Sequence, residues 1–127
     1  MSYPRIEAAI ELGLPLDYHD ENNKKNLLHL FISKSEHLLV KAVLESKYGK
    51  QLVNEQDAKG NTPLVKALKS MFEKTKLLLE NGADVNIKCE HGKTALHYSF
   101  YSESIVKRLI KYKADVNVAD DFGVVNS

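Results

Sequence analysis

Apolar residues in this chain fall in short clusters at helical spacing, separated by polar stretches rich in Asp, Asn, Lys and Gly. Leu64, Ala67 and Leu68 lie three or four residues apart and form one stripe of a predicted helix. A second predicted helix carries Leu77, Leu78 and Leu79, and its counterpart further on carries Ile105, Val106, Leu109 and Ile110. Near the start, Ile6, Ala9 and Ile10 share one face of residues 5–12, which predicts a helix covering one end of the structure. The boundaries carry chemical markers. Thr62 and Thr94 are suited to be N-caps, their hydroxyls accepting from backbone N–H groups that the first helical turn leaves unpaired. Pro63 falls at the first helical position, where its missing donor costs nothing. Gly82 suits the left-handed residue that ends a helix. Gly60, Gly92 and Gly123 suit tight hairpin turns between helices.

The polar stretches recur. Asp57-Ala-Lys-Gly-Asn-Thr-Pro-Leu64 aligns with Cys89-Glu-His-Gly-Lys-Thr-Ala-Leu96, with Gly60 and Gly92 separated by 32 residues. The two segments are followed by Asn81-Gly-Ala-Asp-Val-Asn86 and Lys113-Ala-Asp-Val-Asn117. A third start appears at Asp120-Asp-Phe-Gly123. Looking backward, Asn26-Leu-Leu-His-Leu-Phe31 takes the place of Thr94-Ala-Leu-His-Tyr-Ser99, in a unit with a few extra residues near Lys47 to Gln51 that predict a longer loop. Leu12-Gly-Leu-Pro-Leu-Asp17 has the character of a degenerate unit's end.

Taken in order, these motifs resemble the ankyrin-repeat family over nearly the whole chain. The resemblance implies an all-α repeat solenoid of helix-turn-helix units joined by β-hairpin-like loops. Its expected parts form a single domain over residues 1–127: an N-terminal helical cap or degenerate repeat at 3–19, repeats at 20–56, 57–88 and 89–119, and a truncated repeat start at 120–127. Departures from the family pattern carry their own expectations. Lys113 stands where the helix-ending glycine belongs and is expected in a left-handed conformation. Cys89 replaces the aspartate that opens a unit at Asp57 and Asp120. Residues missing around Met71 and Ser102 are expected to shorten the turn between paired helices. Ile105, Leu109 and Ile110 are expected to leave an exposed edge, as in part of a longer array.

Composition narrows the function. The chain has 127 residues, 43% hydrophobic and 28% charged, with a formal net charge of +1. That predicts a folded domain and gives no electrostatic case for nucleic acid, so no nucleic-acid partner is expected. No apolar run approaches the roughly 20 residues of a membrane helix, no export signal is read at the N-terminus, and no membrane insertion is expected. A single cysteine, Cys89, permits no internal disulfide and fits a reducing, cytoplasmic setting in the producing cell or in a host cell. His29 and His97 occupy the histidine position of the family's Thr-Pro-Leu-His motif and are expected to tie loops together by hydrogen bonds. Cys89, Glu90 and His91 are adjacent and have no second ligand cluster to complete a metal site. No catalytic residue, cofactor or metal is expected, and the chain is read as no enzyme. Asn86 and Asn117 each follow a leucine by eight residues. This is similar to the pattern that asparaginyl hydroxylases accept, and the competing expectation is that these asparagines bridge loop backbone.

The resemblance implies a protein partner on the concave side, made of hairpin tips and first-helix faces. The candidate residues are Lys25, Lys34, Lys59, Asn61, Lys66, Lys69, Glu90, His91, Lys93, Tyr98, Tyr101 and Phe122. Lys25, Lys59 and Lys93 are read as equivalent tip positions, and the tyrosines and Phe122 as amphipathic contact area. The expected function is a non-catalytic, monomeric interaction scaffold for an acidic surface or peptide. The alternative is the recruiting segment of a larger multidomain protein, such as a bacterial or viral effector.

Overall fold

A computed structural model describes residues 19–33, 37–70, 74–99 and 101–123. Apart from His19, the expected helical cap at 3–19 lies outside the described residues, as do Lys34, the deletion near Met71, and residues 124–127. Six α-helices are described: α1 (Leu27–Ser33), α2 (His37–Glu45), α3 (Gly49–Leu52), α4 (Pro63–Ser70), α5 (Thr75–Glu80) and α6 (Glu103–Lys111). Two 3-10 turns, Glu90–Gly92 and Ala95–Tyr98, precede α6. Among the described residues there is no strand; an isolated antiparallel bridge joins His19 and Asn26.

Contacts sort these elements into two layers. In one, α1 packs on α4, and α4 on the Ala95–Tyr98 turn; behind them α2, α5 and α6 each pack on the first-layer element that precedes them. This is the all-α repeat stack that the sequence predicts. Its core includes Leu28, Ile32, Val40, Val43, Leu64, Ala67, Leu78 and Leu109, each essentially inaccessible. Helix α4 is the most enclosed: Leu64, Val65, Ala67 and Leu68 are all buried, because neighbours press on it from both sides and from behind. Burying a leucine of this kind stabilises the stack by about 1.5–3 kcal/mol.

Each first-layer element starts on a cap. The Val65 N–H donates to Thr62 Oγ1 at 3.3 Å, and Pro63 opens α4 as expected. At the other two starts a histidine completes a reciprocal capping box, in the place usually held by Glu or Gln. Asn26 Oδ1 accepts from the His29 N–H while His29 Nδ1 accepts from the Asn26 N–H, both at 3.1 Å. His97 Nδ1 likewise accepts from the Thr94 N–H at 3.0 Å.

Three expectations need correction. The insertion near Lys47 is no loop but the one-turn helix α3, which seats Leu52 in the core. Gly49 permits this, since a Cβ there would lie 2.0 Å from the Leu44 carbonyl oxygen. The first helix expected after Thr94 shrinks to the 3-10 turn Ala95–Tyr98. Ser99 Oγ donates to the Ala95 carbonyl at 2.7 Å, and Ser102 Oγ then caps α6 by accepting from the Ile105 N–H at 3.4 Å, so the missing residues are taken from this helix rather than from the turn alone. Ile105 and Leu109 are buried against the 3-10 turn and form no open edge; Ile110, at 48% exposure, does.

Helices α5 and α6 end alike. Gly82 (φ 94°) and Lys113 (φ 71°) are both left-handed, and the following N–H, of Ala83 or Ala114, reaches back to the Leu78 or Leu109 carbonyl at 3.1 and 3.0 Å. Asparagines then stitch one unit to the next. The Asn54 amide donates to the Gly82 carbonyl (3.1 Å) and accepts from the Asp84 N–H (2.7 Å). Asn86 treats the Lys113 carbonyl (3.0 Å) and the Asp115 N–H (2.8 Å) in the same way.

Candidate partner-binding face

The hairpins ahead of the first layer are shaped by carboxylates accepting from their own backbone. Asp57 Oδ1 takes the N–H groups of Lys59 and Asn61, both at 3.0 Å. Asp20 Oδ1 takes those of Asn22 (2.8 Å) and Asn23 (3.1 Å), and Asp120 Oδ1 takes that of Phe122 (2.9 Å). Such Asx turns explain why aspartate opens a unit. Cys89 cannot accept in this manner; its thiol sits buried 3.9 Å from Thr62 Oγ1, with its pKa pushed up by burial.

Hairpin closure fixes the true equivalences. The bonds Asp20 N–H to Lys25 O (2.9 Å), Asp57 N–H to Asn61 O (2.9 Å) and Cys89 N–H to Lys93 O (2.7 Å) place Lys25, Asn61 and Lys93 at one position. Lys24, with φ 58°, fills the left-handed place of Gly60 and Gly92. Lys59 therefore corresponds to His91, and the expected lysine row of Lys25, Lys59 and Lys93 is corrected: Lys25 and Lys93 share a position that Asn61 fills in the hairpin between them, and Lys59 lies two residues before it. Successive hairpins are tied edge to edge by Ala58 N–H to Asn23 O (2.7 Å) and Asp121 N–H to His91 O (2.8 Å). The expected histidine tie between loops forms at His29. His29 Nε2 donates to the Asn61 carbonyl at 2.8 Å, and burial lowers its pKa, keeping the ring neutral with the proton on Nε2.

The structure gathers most of the sequence-nominated residues into two adjoining clusters. Lys25, Lys59, Asn61, Lys66 and Lys69 line a cavity of about 340 Å³, together with Asn23 and Asp57. Lys69 links this cavity to the next cluster through an ion pair with Glu90 at 3.6 Å. There the Tyr98 ring has the ammonium groups of Lys69 and Lys93 each 5.6 Å from its centroid, and its hydroxyl donates to the Glu90 carbonyl at 3.4 Å. His91 and Phe122 pair as tilted rings 5.6 Å apart on neighbouring tips. Tyr101 stands in the turn before α6 rather than on a first-helix face, and its hydroxyl donates to the Leu68 carbonyl at 2.8 Å. Lys34 lies outside the described residues. Asn86 and Asn117 are in the loops that follow α5 and α6. The Asn86 amide is committed on both sides, as above, whereas the Asn117 amide bonds to nothing among the described residues.

Sequence reasoning missed that Asp57 is a cavity wall, since it reads as the residue that opens a unit. It also missed a basic groove on the second layer, lined by Lys76, Lys107, Arg108 and Lys111 with Glu80. The Lys107 and Lys111 spacing of one helical turn was its visible signal. Among the described residues, no three His, Cys, Asp or Glu side chains gather as metal ligands do, and no helix is long and apolar enough to cross a membrane.

Paired helices stacked through asparagine-stitched loops and Asx-turn hairpins define a helical repeat protein. The chain matches the family model for ankyrin repeats (3 copies) over residues 6–89 and 28–120, and it belongs to that family. An ankyrin repeat protein of Fowlpox virus (strain NVSL) is 34% identical over 123 residues, covering 91% of this chain and 35% of its own length. An ankyrin repeat protein of Acanthamoeba polyphaga mimivirus is 35% identical over 80 residues, covering 60% of this chain and 19% of its own length. The chain thus spans a minor part of the curated relatives it matches.

Proposed function

We propose that this chain is a non-catalytic, monomeric scaffold that holds an acidic protein surface against its hairpin-and-first-layer face. Ankyrin repeats are generally protein-interaction modules, and the family as a whole is generally non-catalytic. The observation that carries the finer reading is the clustering of Lys25, Lys59, Lys66 and Lys69 around one cavity, continued by Lys93 over the Tyr98 ring. Long-range attraction would steer an acidic partner to this face, and the half-buried Tyr98 and the exposed Phe122 would give it contact area. In this reading the repeats run over 20–56, 57–88 and 89–119, Glu90, His91, Tyr101 and Phe122 border the contact, and the setting is cytoplasmic. The test is affinity capture from the native setting with wild type and a Lys59→Glu, Lys93→Glu double variant as baits. Reversing two charges should lower recovery of the principal partner by about ten-fold. Equal recovery by both baits would sink the reading.

A second reading is favoured by the relatives. Both are viral and much longer than this chain, so the domain would be the target-recruiting segment of a larger viral protein acting in the host cytoplasm. Asn86 and Asn117 remain candidates for asparaginyl hydroxylation there. Asn117 is the more accessible, its amide being uncommitted among the described residues. Treatment with an asparaginyl hydroxylase should add one oxygen to the chain by intact mass, and peptide mapping should find it at Asn117 before Asn86.

A further inference from the structure

We propose that the lysine-lined cavity between the first two hairpins binds a single phosphate dianion carried on a side chain of the partner protein. The inference rests on the interaction reading above and names the group that the face takes.

The cavity has one dominant chemistry. Of the charged groups lining it, four are ammonium groups and one, Asp57, is a carboxylate already turned to the hairpin N–H groups of Lys59 and Asn61. Lys69 shares its charge with Glu90. The described lining is thus predominantly positive, and a phosphomonoester at neutral pH, with about −1.5 to −2 charge, is drawn to it more strongly than a singly charged group such as a carboxylate. Lys25 and Lys66 approach each other within the cavity, two like charges side by side, and Lys66 is half-buried. Burial first and the Lys25 ammonium second lower the proton affinity of Lys66, and the opposite charge of an anion seated between the two would offset them.

The neutral walls agree. Asn23 Oδ1 accepts from the Lys25 N–H at 3.1 Å and Asn61 Oδ1 from the Glu90 N–H at 3.4 Å. The amide oxygens are thus occupied, which leaves the two NH₂ groups as donors. Three phosphate oxygens would meet ammonium and amide donors at each position, and charge-assisted bonds of this kind are about twice as strong as neutral ones. A nucleic-acid backbone fits less well. It presents phosphates in series, whereas the positive track beyond Lys69 is broken by Glu90 and by Asp121 at the next tip.

The full chain, isotope-labelled for amide NMR, is titrated at constant ionic strength with four probes. These are inorganic phosphate, a blocked glycine–serine heptapeptide with one central phosphoserine, its central-glutamate twin, and single-stranded oligouridylate. The phosphoserine peptide should bind about ten-fold or more tightly than its glutamate twin, moving the amide signals of Asn23, Lys59 and Asn61. Its affinity should fall from pH 7 to pH 5 as the phosphate takes up its second proton. Lys66→Gln should remove the preference without lowering the thermal midpoint, and Lys25→Gln serves if that variant misfolds. A Lys107→Ala, Lys111→Ala variant in the second-layer groove should keep it. Equal affinity for the two peptides overturns the dianion inference and leaves the acidic-partner reading standing. Inorganic phosphate binding as tightly as the peptide assigns the cavity to a free anion, and tighter binding of oligouridylate assigns it to nucleic acid; either overturns the proposal. Binding of none of the probes overturns it as well, while the capture experiment with Lys59→Glu and Lys93→Glu judges the face independently.

Discussion

Lys24, His91 and Lys113 hold left-handed backbone at φ 58°, 60° and 71°, where only glycine is free of a Cβ penalty. Lys113 was readable in advance, because its alignment with Gly82 is unambiguous. Lys24 was not: one added residue in its hairpin moved it off register when counted from Asp20. At Lys113 the surrounding structure uses only main-chain atoms, including the carbonyl that Asn86 holds, so glycine can replace it without loss. Lys113→Gly should raise stability by about 1 kcal/mol, read as a higher urea midpoint at unchanged slope. His29 gives a second prediction at this scale. Its folded-state pKa lies below the unfolded 6.5 because burial disfavours the charged ring. Below pH 6.5 the unfolded chain takes up a proton that the folded chain resists, so stability falls as pH drops from 6.5 toward the folded pKa. The slope should reach at most about 1.4 kcal/mol per pH unit. Denaturant melts between pH 7 and pH 5 should show a shallower fall for His29→Gln than for wild type.

Among the elements, those with strong local markers were legible. Thr62, Pro63 and the Leu64, Ala67, Leu68 stripe delimit α4 from sequence alone. Helix α3 was not visible, since four residues are too few to show a period. The 3-10 turn Ala95–Tyr98 was hidden for a different reason: its residues keep the helical motif, and the loss of length decides the geometry. The fit of α3 depends on Gly49. An added Cβ would collide with the Leu44 carbonyl, at 2.0 Å from its oxygen and 2.7 Å from its carbon. Gly49→Ala should therefore cost about 1–3 kcal/mol, as overpacking does. At Gly82 a Cβ meets nothing within 4 Å, so Gly82→Ala should cost only the backbone penalty of about 1 kcal/mol. Thermal midpoints of the two variants, measured side by side, check the order.

At the scale of the molecule, the repeat period announced the fold, but the face could only be nominated. Which lysines share a cavity depends on side chains meeting across two hairpins and α4, and on Glu90 reaching Lys69; linear spacing reports neither. The stitching between units is testable in a way that separates it from local packing. Asn86→Ala removes two bonds to the following loop and should cost about 1–3 kcal/mol. Asn117→Ala, whose amide bonds to nothing among the described residues, should leave the urea midpoint nearly unchanged. A loss of similar size at both positions would show that the asparagines act within their own loops.

The stitching has a direction. In each described pair the earlier unit contributes a side chain, Asn54 or Asn86, and the later one only backbone, at Gly82 and Asp84 or at Lys113 and Asp115. A chain made from the N-terminus therefore always presents its asparagine before the loop that will need it, so assembly during synthesis can advance one unit at a time. The same polarity divides the freedom to mutate. The receiving loop can change its side chains with little effect on the joint, as Lys113 in place of glycine illustrates, whereas the asparagine ahead of it cannot.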